Sequence, residues 1–220
     1  MTRAAQGARA REVLDRLMRA YPDACCSLDF QNPLQLLVAT ILAAQCTDER
    51  VNKTTPALFK RYKTAGDYAN AQDEEVQEAI RSCGFYRQKA KTIKAACQTI
   101  VDKFGGKVPG SMEELLQLNG VGRKTANVLL GECFGTPGII VDTHCKRVSA
   151  RLGFTRNGDP AKIEQDLMRI FPQERWTDLS HCLVFHGRAI CHARAPRCSQ
   201  CCLRDLCPFP DTREGKKLAR

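Results

Sequence analysis

The 220-residue sequence contains no apolar stretch long enough to cross a bilayer. Its longest apolar run, Leu34 to Cys46, is broken by Gln35, Thr40 and Gln45, whereas a spanning helix needs about 20 consecutive apolar residues. The first twenty residues lack the apolar core of a secretory leader, and Glu12 and Asp15 interrupt their Arg- and Ala-rich start, which a transit peptide avoids. No alternation of apolar and polar residues is sustained; the short segment Gly138-Ile139-Ile140-Val141 comes nearest. There is no low-complexity linker and no repeat of solenoid period. A membrane protein, a secreted protein, a β-sandwich and a repeat array are thereby disfavoured, and a cytoplasmic protein is expected.

What is present points to a folded, basic, helical chain. Lys and Arg number 34 against 24 Asp and Glu, a net charge of +10, with 17 basic and 12 acidic residues in each half. Such an even excess suits a polyanionic partner, most simply nucleic acid. Cysteine is abundant at 13. The count is odd, and Cys46, Cys97, Cys133 and Cys145 lie singly in apolar stretches, as reduced thiols do. Helical spacing recurs from Val13, Leu17 and Met18 to Trp176, Leu179, Leu183 and His186. Over residues 87–104, Ala90, Ile93, Cys97, Ile100, Val101 and Phe104 make one apolar stripe, with Arg87, Lys91 and Lys94 on another face. Asp159-Pro160 predicts a helix start, a capping carboxylate followed by proline in the first turn. The fold class expected is all-α, and the last eight residues, Arg213 to Arg220, read as a frayed basic tail.

The most informative segment is Leu118-Asn119-Gly120-Val121-Gly122-Arg123-Lys124. Met112, Leu115, Leu116 and Leu118 supply one helix, and Ala126, Val128, Leu129 and Leu130 another. Between them, Gly120 and Gly122 let the backbone turn sharply and bring its N–H groups close to a ligand. The second helix begins there, so its free N–H groups and positive dipole end face the same spot. A hairpin of this kind holds a backbone phosphate without reading sequence. The alternative is an ordinary turn between helices with a glycine cap. Lys124 follows at once. It either adds a phosphate contact or acts as a nucleophile, its amine activated by the helix N-terminus and Arg123 and able to form a Schiff base with a sugar carbon.

Eighteen residues beyond Lys124, Asp142 follows the apolar run and precedes the helical pattern of Val148 and Leu152. It is expected to cap that helix, and its carboxylate could also steer a proton or stabilise positive charge on a sugar ring. Near the C-terminus Cys191, Cys198, Cys201 and Cys207 are spaced C-x6-C-x2-C-x5-C. Structural zinc more often uses two C-x2-C knuckles. One short pair with loose flanks fits cluster-type ligation better, although zinc stays open on spacing alone. Cys202 would spoil the C-x2-C step and reads as a bystander. Arg194 and Arg197, in the loop between the first two cysteines, are either a second phosphate contact or charge balance for the thiolates.

LNGVGRKTANVLL, VDTHCKRV, the pair His186-Gly187 and the four-cysteine run together resemble the endonuclease III family of bifunctional DNA glycosylases, from about Leu34 to Cys207. The resemblance implies a two-lobed helix-hairpin-helix glycosylase fold. A six-helix barrel would span 26–136, a second lobe of 1–25 with 137–212 would carry a [4Fe-4S] cluster, and 213–220 would be the tail. It implies a monomer acting on duplex DNA with a damaged base or abasic site, without a membrane partner. Lys124 would be the Schiff-base lysine, Asp142 the catalytic aspartate, and Cys191, Cys198, Cys201 and Cys207 the cluster ligands. DNA contacts would come from Leu118, Gly120, Val121, Gly122, Arg123, Thr125, His144 and Arg194. Gln45 would fill the gap left by a flipped nucleotide, and Phe85 would stand where the family places an apolar wedge, often leucine. Asn119 occupies a position where proline is common, and Phe85 is bulkier than leucine.

The activity implied is removal of oxidised pyrimidines of the thymine glycol type, followed by β-elimination. A monofunctional adenine-mismatch glycosylase shares the fold but lacks the lysine and uses a glutamate ahead of the Gln45 region. Here no carboxylate lies between Gln31 and Thr47, and Lys124 is present. A non-catalytic DNA-binding module with a redox-sensing cluster is the remaining alternative.

Overall fold

The computed structural model describes residues 3–218, and every regular element among them is helical, with no strand. The all-α expectation holds. The chain divides into two compact units, Cys26–Thr136 and Met1–Cys25 joined with Pro137–Arg220.

Helix α1 (Arg3–Ala20) opens the chain and belongs to the second of these. The Cys26–Thr136 unit holds α2 (Pro33–Leu42), α3 (Asp48–Arg61), α4 (Ala65–Asn70), α5 (Asp73–Ala79), α6 (Tyr86–Phe104), α7 (Met112–Leu115) and α8 (Arg123–Cys133). Helix α2 starts where Asn32 accepts the Gln35 N–H and Pro33 fills the first position, whose N–H would be free in any helix. Its residues Leu36, Leu37, Val38, Ala39, Ile41 and Leu42 are all buried, and it packs on α3, α6 and α8. Helix α6 is the long central element. Ala90, Ile93, Ala96, Cys97 and Ile100 bury one stripe of it against α4, α5 and α2.

In the other unit follow α9 (Thr143–Arg151), α10 (Pro160–Met168), α11 (Trp176–Ala189) and α12 (Arg213–Leu218). Helix α11 packs against α1 and α9, over a core that includes Val13, Leu17, Val148, Leu152, Leu179 and Leu183. The Asp159-Pro160 start is as expected: the Asp159 carboxylate accepts the Lys162 N–H at 3.0 Å. Residues 213–218, expected as a frayed tail, are instead helix α12. Thr212 caps it, its hydroxyl accepting the Gly215 N–H and its carbonyl the Lys216 N–H, each at 2.9 Å. No helix among the described residues is long and apolar enough to cross a membrane.

Candidate active site

In the Cys26–Thr136 unit, the segment after α7 makes the turn that its glycines predict. The Val121 N–H donates to the Leu118 carbonyl at 3.1 Å, and α8 begins two residues later. Gly120 has φ +76, and a Cβ there would lie 2.3 Å from Thr92 Cγ2 on α6. Both the left-handed backbone and the close approach require glycine. Gly122 differs from the expectation. Its φ of −95 is open to any residue, and a Cβ would meet nothing within 4 Å. What Gly122 supplies is bareness. As the N-cap of α8 it offers no side chain to the first-turn N–H groups, the end of a helix that favours anions. For Gly120→Ala we expect a loss of about 1–3 kcal/mol from backbone strain and overpacking, together with weaker DNA binding. A melting curve and a DNA titration both matching the parent would contradict this role.

Two of the expected contact residues stand in the turn with their side chains buried. Leu118 is 2% exposed and Val121 is 7% exposed. Both side chains belong to the core beneath the turn, because the hairpin must be pinned to α6 and α8 from inside. Arg123 and Lys124 are exposed on the first turn of α8, and Thr125 is half-buried behind them.

Gln45 and Phe85 occupy two further turns of the same unit. Gln45 follows the end of α2 with φ +53, and Phe85 is the N-cap of α6 with φ +47. Both are in the left-handed region, at a cost of about 1–2 kcal/mol each for residues other than glycine. Phe85 is 68% exposed, so it does not serve the core. An exposed phenylalanine held on a strained turn has the form of a residue kept ready for a partner. Lys89 ties the two turns together. It is 5% exposed, and its ammonium donates to the carbonyls of Leu42 and Cys83, each at 2.8 Å. Sequence reasoning missed this lysine. The signal was its register, four residues before Ile93 on the apolar stripe of α6.

In the other unit, Asp142 caps α9, with Oδ1 accepting the Cys145 N–H at 2.7 Å. The buried run before it is fixed by the Ile140 N–H donating to Ser180 Oγ at 2.9 Å. His144 sits on the first turn of α9, half-buried, with Nδ1 3.0 Å from Arg147 Nη2. Burial lowers its pKa. A Cβ on Gly187 would lie 2.9 Å from His144 Cβ, so this glycine lets α11 approach the histidine. Its neighbour His186 is buried, its pKa pushed down to about 4 by desolvation, with Nδ1 3.0 Å from the Tyr21 hydroxyl and Nε2 3.5 Å from Cys201 Sγ.

Cys191, Cys198, Cys201 and Cys207 line one pocket that Val148, Leu152, Ile190, Leu203 and Phe209 also enclose. Cys202 is not among its walls and is exposed, consistent with its reading as a bystander. Among the described residues, no three His, Cys, Asp or Glu converge tightly enough to hold one ion. Four thiols spread around a common cavity suit a polynuclear group that takes one thiolate per metal better than a single tetrahedral ion. Burial pushes the Cys198 and Cys207 thiols up, so a thiolate there needs a cationic partner. Arg151, which sequence reasoning also missed, frames the cavity. Its guanidinium donates to Cys191 Sγ at 3.4 Å, to the His192 carbonyl at 2.6 Å and to the Ala193 carbonyl at 3.0 Å, and lies 4.2 Å from the Phe209 ring centroid. Pinned this way, the loop turns at Ala195 (φ +49) and leaves Arg194 and Arg197 exposed.

Residues 38–173 match the family model of the HhH-GPD superfamily base excision DNA repair proteins. The chain is 57% identical to endonuclease III of Synechocystis sp. over 91% of its own length and 92% of that protein's. It belongs to the endonuclease III family. Its identity to endonuclease III of Escherichia coli (strain K12) is 39%, over 93% of this chain and 97% of that one. Among solved structures, a non-covalent endonuclease III–DNA complex superposes with a TM-score of 0.88 at 45% identity, covering 99% of this chain and 98% of its counterpart. A trapped covalent intermediate of endonuclease III with DNA matches equally well, at TM-score 0.88. As a member of this family the chain is a DNA glycosylase of base excision repair. Lys124 is carried by the Cys26–Thr136 unit, and Asp142 and the four cysteines by the other.

Proposed function

We propose that this protein removes oxidised pyrimidines of the thymine glycol type from duplex DNA and then cuts the strand by β-elimination. The observation that carries the reading is Lys124, exposed on the first turn of α8 immediately after the Gly120 hairpin, in a chain so similar to endonuclease III. The Lys124 amine attacks C1′ of the damaged nucleotide and the base departs. The resulting imine makes the C2′ protons acidic, and loss of one expels the 3′ phosphate. Asp142 supplies negative charge where the sugar ring becomes positive and helps move the proton. Gly120, Gly122, Arg123 and Thr125 hold the strand through backbone N–H groups and charge, and His144 and Arg194 add contacts from the other unit. Gln45 and Phe85 fill the stack that the flipped nucleotide leaves.

In this reading the Cys26–Thr136 unit is the six-helix barrel lobe, and residues 1–25 with 137–212 form the cluster lobe. Cys191, Cys198, Cys201 and Cys207 would hold a [4Fe-4S] cluster whose contribution is to cross-link the loop that presents Arg194. The working place we propose is the cytoplasm, at the nucleoid, as a monomer. Purified protein is expected to be brown, with broad visible absorbance lost in Cys201→Ser together with several degrees of melting temperature. A colourless protein with stoichiometric zinc would refute the cluster assignment. For the activity, a duplex with one thymine glycol is expected to be nicked 3′ to the lesion without added nuclease, leaving an unsaturated aldehyde at the 3′ end. Base release without nicking would place the protein among monofunctional glycosylases.

A further inference from the structure

The pair His186-Gly187 stands out in the sequence, and the base-removal chemistry uses neither residue. His186 is carried by α11, is 2% exposed, and lines the same pocket as the four cysteines. Both ring nitrogens have polar partners. Nδ1 lies 3.0 Å from the Tyr21 hydroxyl, and Nε2 lies 3.5 Å from Cys201 Sγ. Tyr21 follows α1 directly, its N–H donating to the Leu17 carbonyl at 2.9 Å, and its ring meets the imidazole edge to face with centroids 5.8 Å apart. A hydroxyl, an imidazole and a sulfur thus form one chain of contacts. Two arrangements of protons satisfy it. In the first, Tyr21 donates to Nδ1 and the Nε2–H donates to the sulfur. In the second, the Nδ1–H donates to Tyr21 and the Cys201 thiol donates to Nε2. A metal-bound cysteine has lost its S–H, so only the first keeps both hydrogen bonds.

We propose that His186, oriented by Tyr21, donates its Nε2–H to the cluster-bound Cys201 sulfur, raises the reduction potential of the cluster and so guards it against oxidation. The inference rests on the reading of Cys191, Cys198, Cys201 and Cys207 as ligands of a [4Fe-4S] cluster. A hydrogen bond to a ligand sulfur withdraws electron density from the metal–thiolate unit and favours its more reduced state. Burial of the imidazole strengthens the effect, because water does not screen the bond. The Leu203 N–H donates to the same sulfur at 3.4 Å, and Arg151 donates to Cys191 Sγ at 3.4 Å. The first is backbone and the second also holds the His192 and Ala193 carbonyls. His186 is therefore the donor that a side-chain substitution can remove with least disturbance to the loops. Tyr21 is a positioning residue that acts through it. Without the Tyr21 hydroxyl, Nδ1 loses its donor, the ring is free to take either tautomer, and the bond to sulfur weakens.

The test compares the complete parent protein with Tyr21→Phe, which removes one oxygen and keeps the ring, His186→Gln, which keeps a side-chain N–H donor, and His186→Leu, which has none. Iron and sulfide are quantified, and the potential of the cluster is measured by voltammetry. The parent is expected to have the highest potential, His186→Gln and Tyr21→Phe lower ones, and His186→Leu the lowest. Ferricyanide takes one electron from the cluster and is reduced to ferrocyanide. The resulting loss of visible absorbance should be about tenfold faster in His186→Leu, the scale of one hydrogen bond, and faster than the parent in Tyr21→Phe. Resonance Raman bands of the iron–cysteine stretches should shift on exchange into D2O in the parent, and shift less in His186→Leu. A purely structural role would lower iron content or melting temperature and leave the potential of the retained cluster unchanged, and that result would overturn the proposal. If His186→Leu does not fold, the parent and Tyr21→Phe decide: equal potentials and equal bleaching rates in these two overturn it. A colourless parent contradicts the cluster reading and the proposal together, whereas a brown parent indifferent to both substitutions contradicts the proposal alone.

Discussion

Lys124→Ala is expected to yield a folded protein that binds duplex DNA and neither releases a damaged base nor cuts an abasic strand. The side chain is exposed on the first turn of α8. Its removal therefore opens no cavity, and alanine is a better helix former than lysine. Stability should stay within about 0.5 kcal/mol of the parent, as for surface substitutions generally. The rate should fall at least about a thousandfold, the scale of losing a covalent nucleophile, equivalent to about 4 kcal/mol of barrier. If Lys124 only contacted phosphate, the substitution would weaken binding, flatten its salt dependence by about one ion, and leave turnover intact at saturating DNA. Incision rates at saturating abasic duplex, with the dissociation constant measured across salt, separate these outcomes. Turnover within tenfold of the parent would remove Lys124 from the chemistry.

Asp142→Asn is the second large effect, and the structure makes it a clean substitution. Asp142 accepts the Cys145 N–H at 2.7 Å as the cap of α9. Asparagine caps a helix about as well as aspartate, so the helix start survives while the charge is lost. We expect turnover to fall by a factor of about 10² to 10⁴, the range for general acid–base and electrostatic groups, with DNA affinity and melting temperature retained. Asp142→Ala would add the loss of the cap, about 1 kcal/mol. Weaker binding with unchanged saturated turnover in the asparagine variant would reduce Asp142 to its capping role. Lys124 is carried by one unit and Asp142 by the other.

The sequence was most legible where one local rule decides the structure. The stripe from Ala90 to Ile100 on α6 needed only the helical period, and Asp159-Pro160 starts α10 with the cap its residue types predict. The glycine hairpin could be located, but its two glycines could not be told apart. Gly120 is demanded by φ and by Thr92, which is 28 residues away in sequence, whereas Gly122 is demanded by neither. Leu118 and Val121 sit inside the motif, and the sequence could not show that their side chains belong to the core. Lys89 and Arg151 were invisible for the opposite reason. A lone cation on an apolar stripe looks like a solvated face until the carbonyls around it are known, and those carbonyls come from Leu42, Cys83, His192 and Ala193. Helix α12 was missed because its residues are polar and basic, while Thr212, just ahead of the segment read as tail, caps it. The left-handed turns at Gln45 and Phe85 are likewise set by packing around them, since neither residue type favours φ above zero.

In the proposed mechanism Lys124 becomes covalently bonded to DNA. Borohydride reduces an imine to a stable amine, so a duplex with a single abasic site, incubated with the protein and borohydride, should give one cross-linked species. Proteolysis and mass mapping should place the DNA remnant on Lys124, and Lys124→Ala should give no adduct. An adduct on another lysine, or an equal yield from Lys124→Ala, would contradict the assignment.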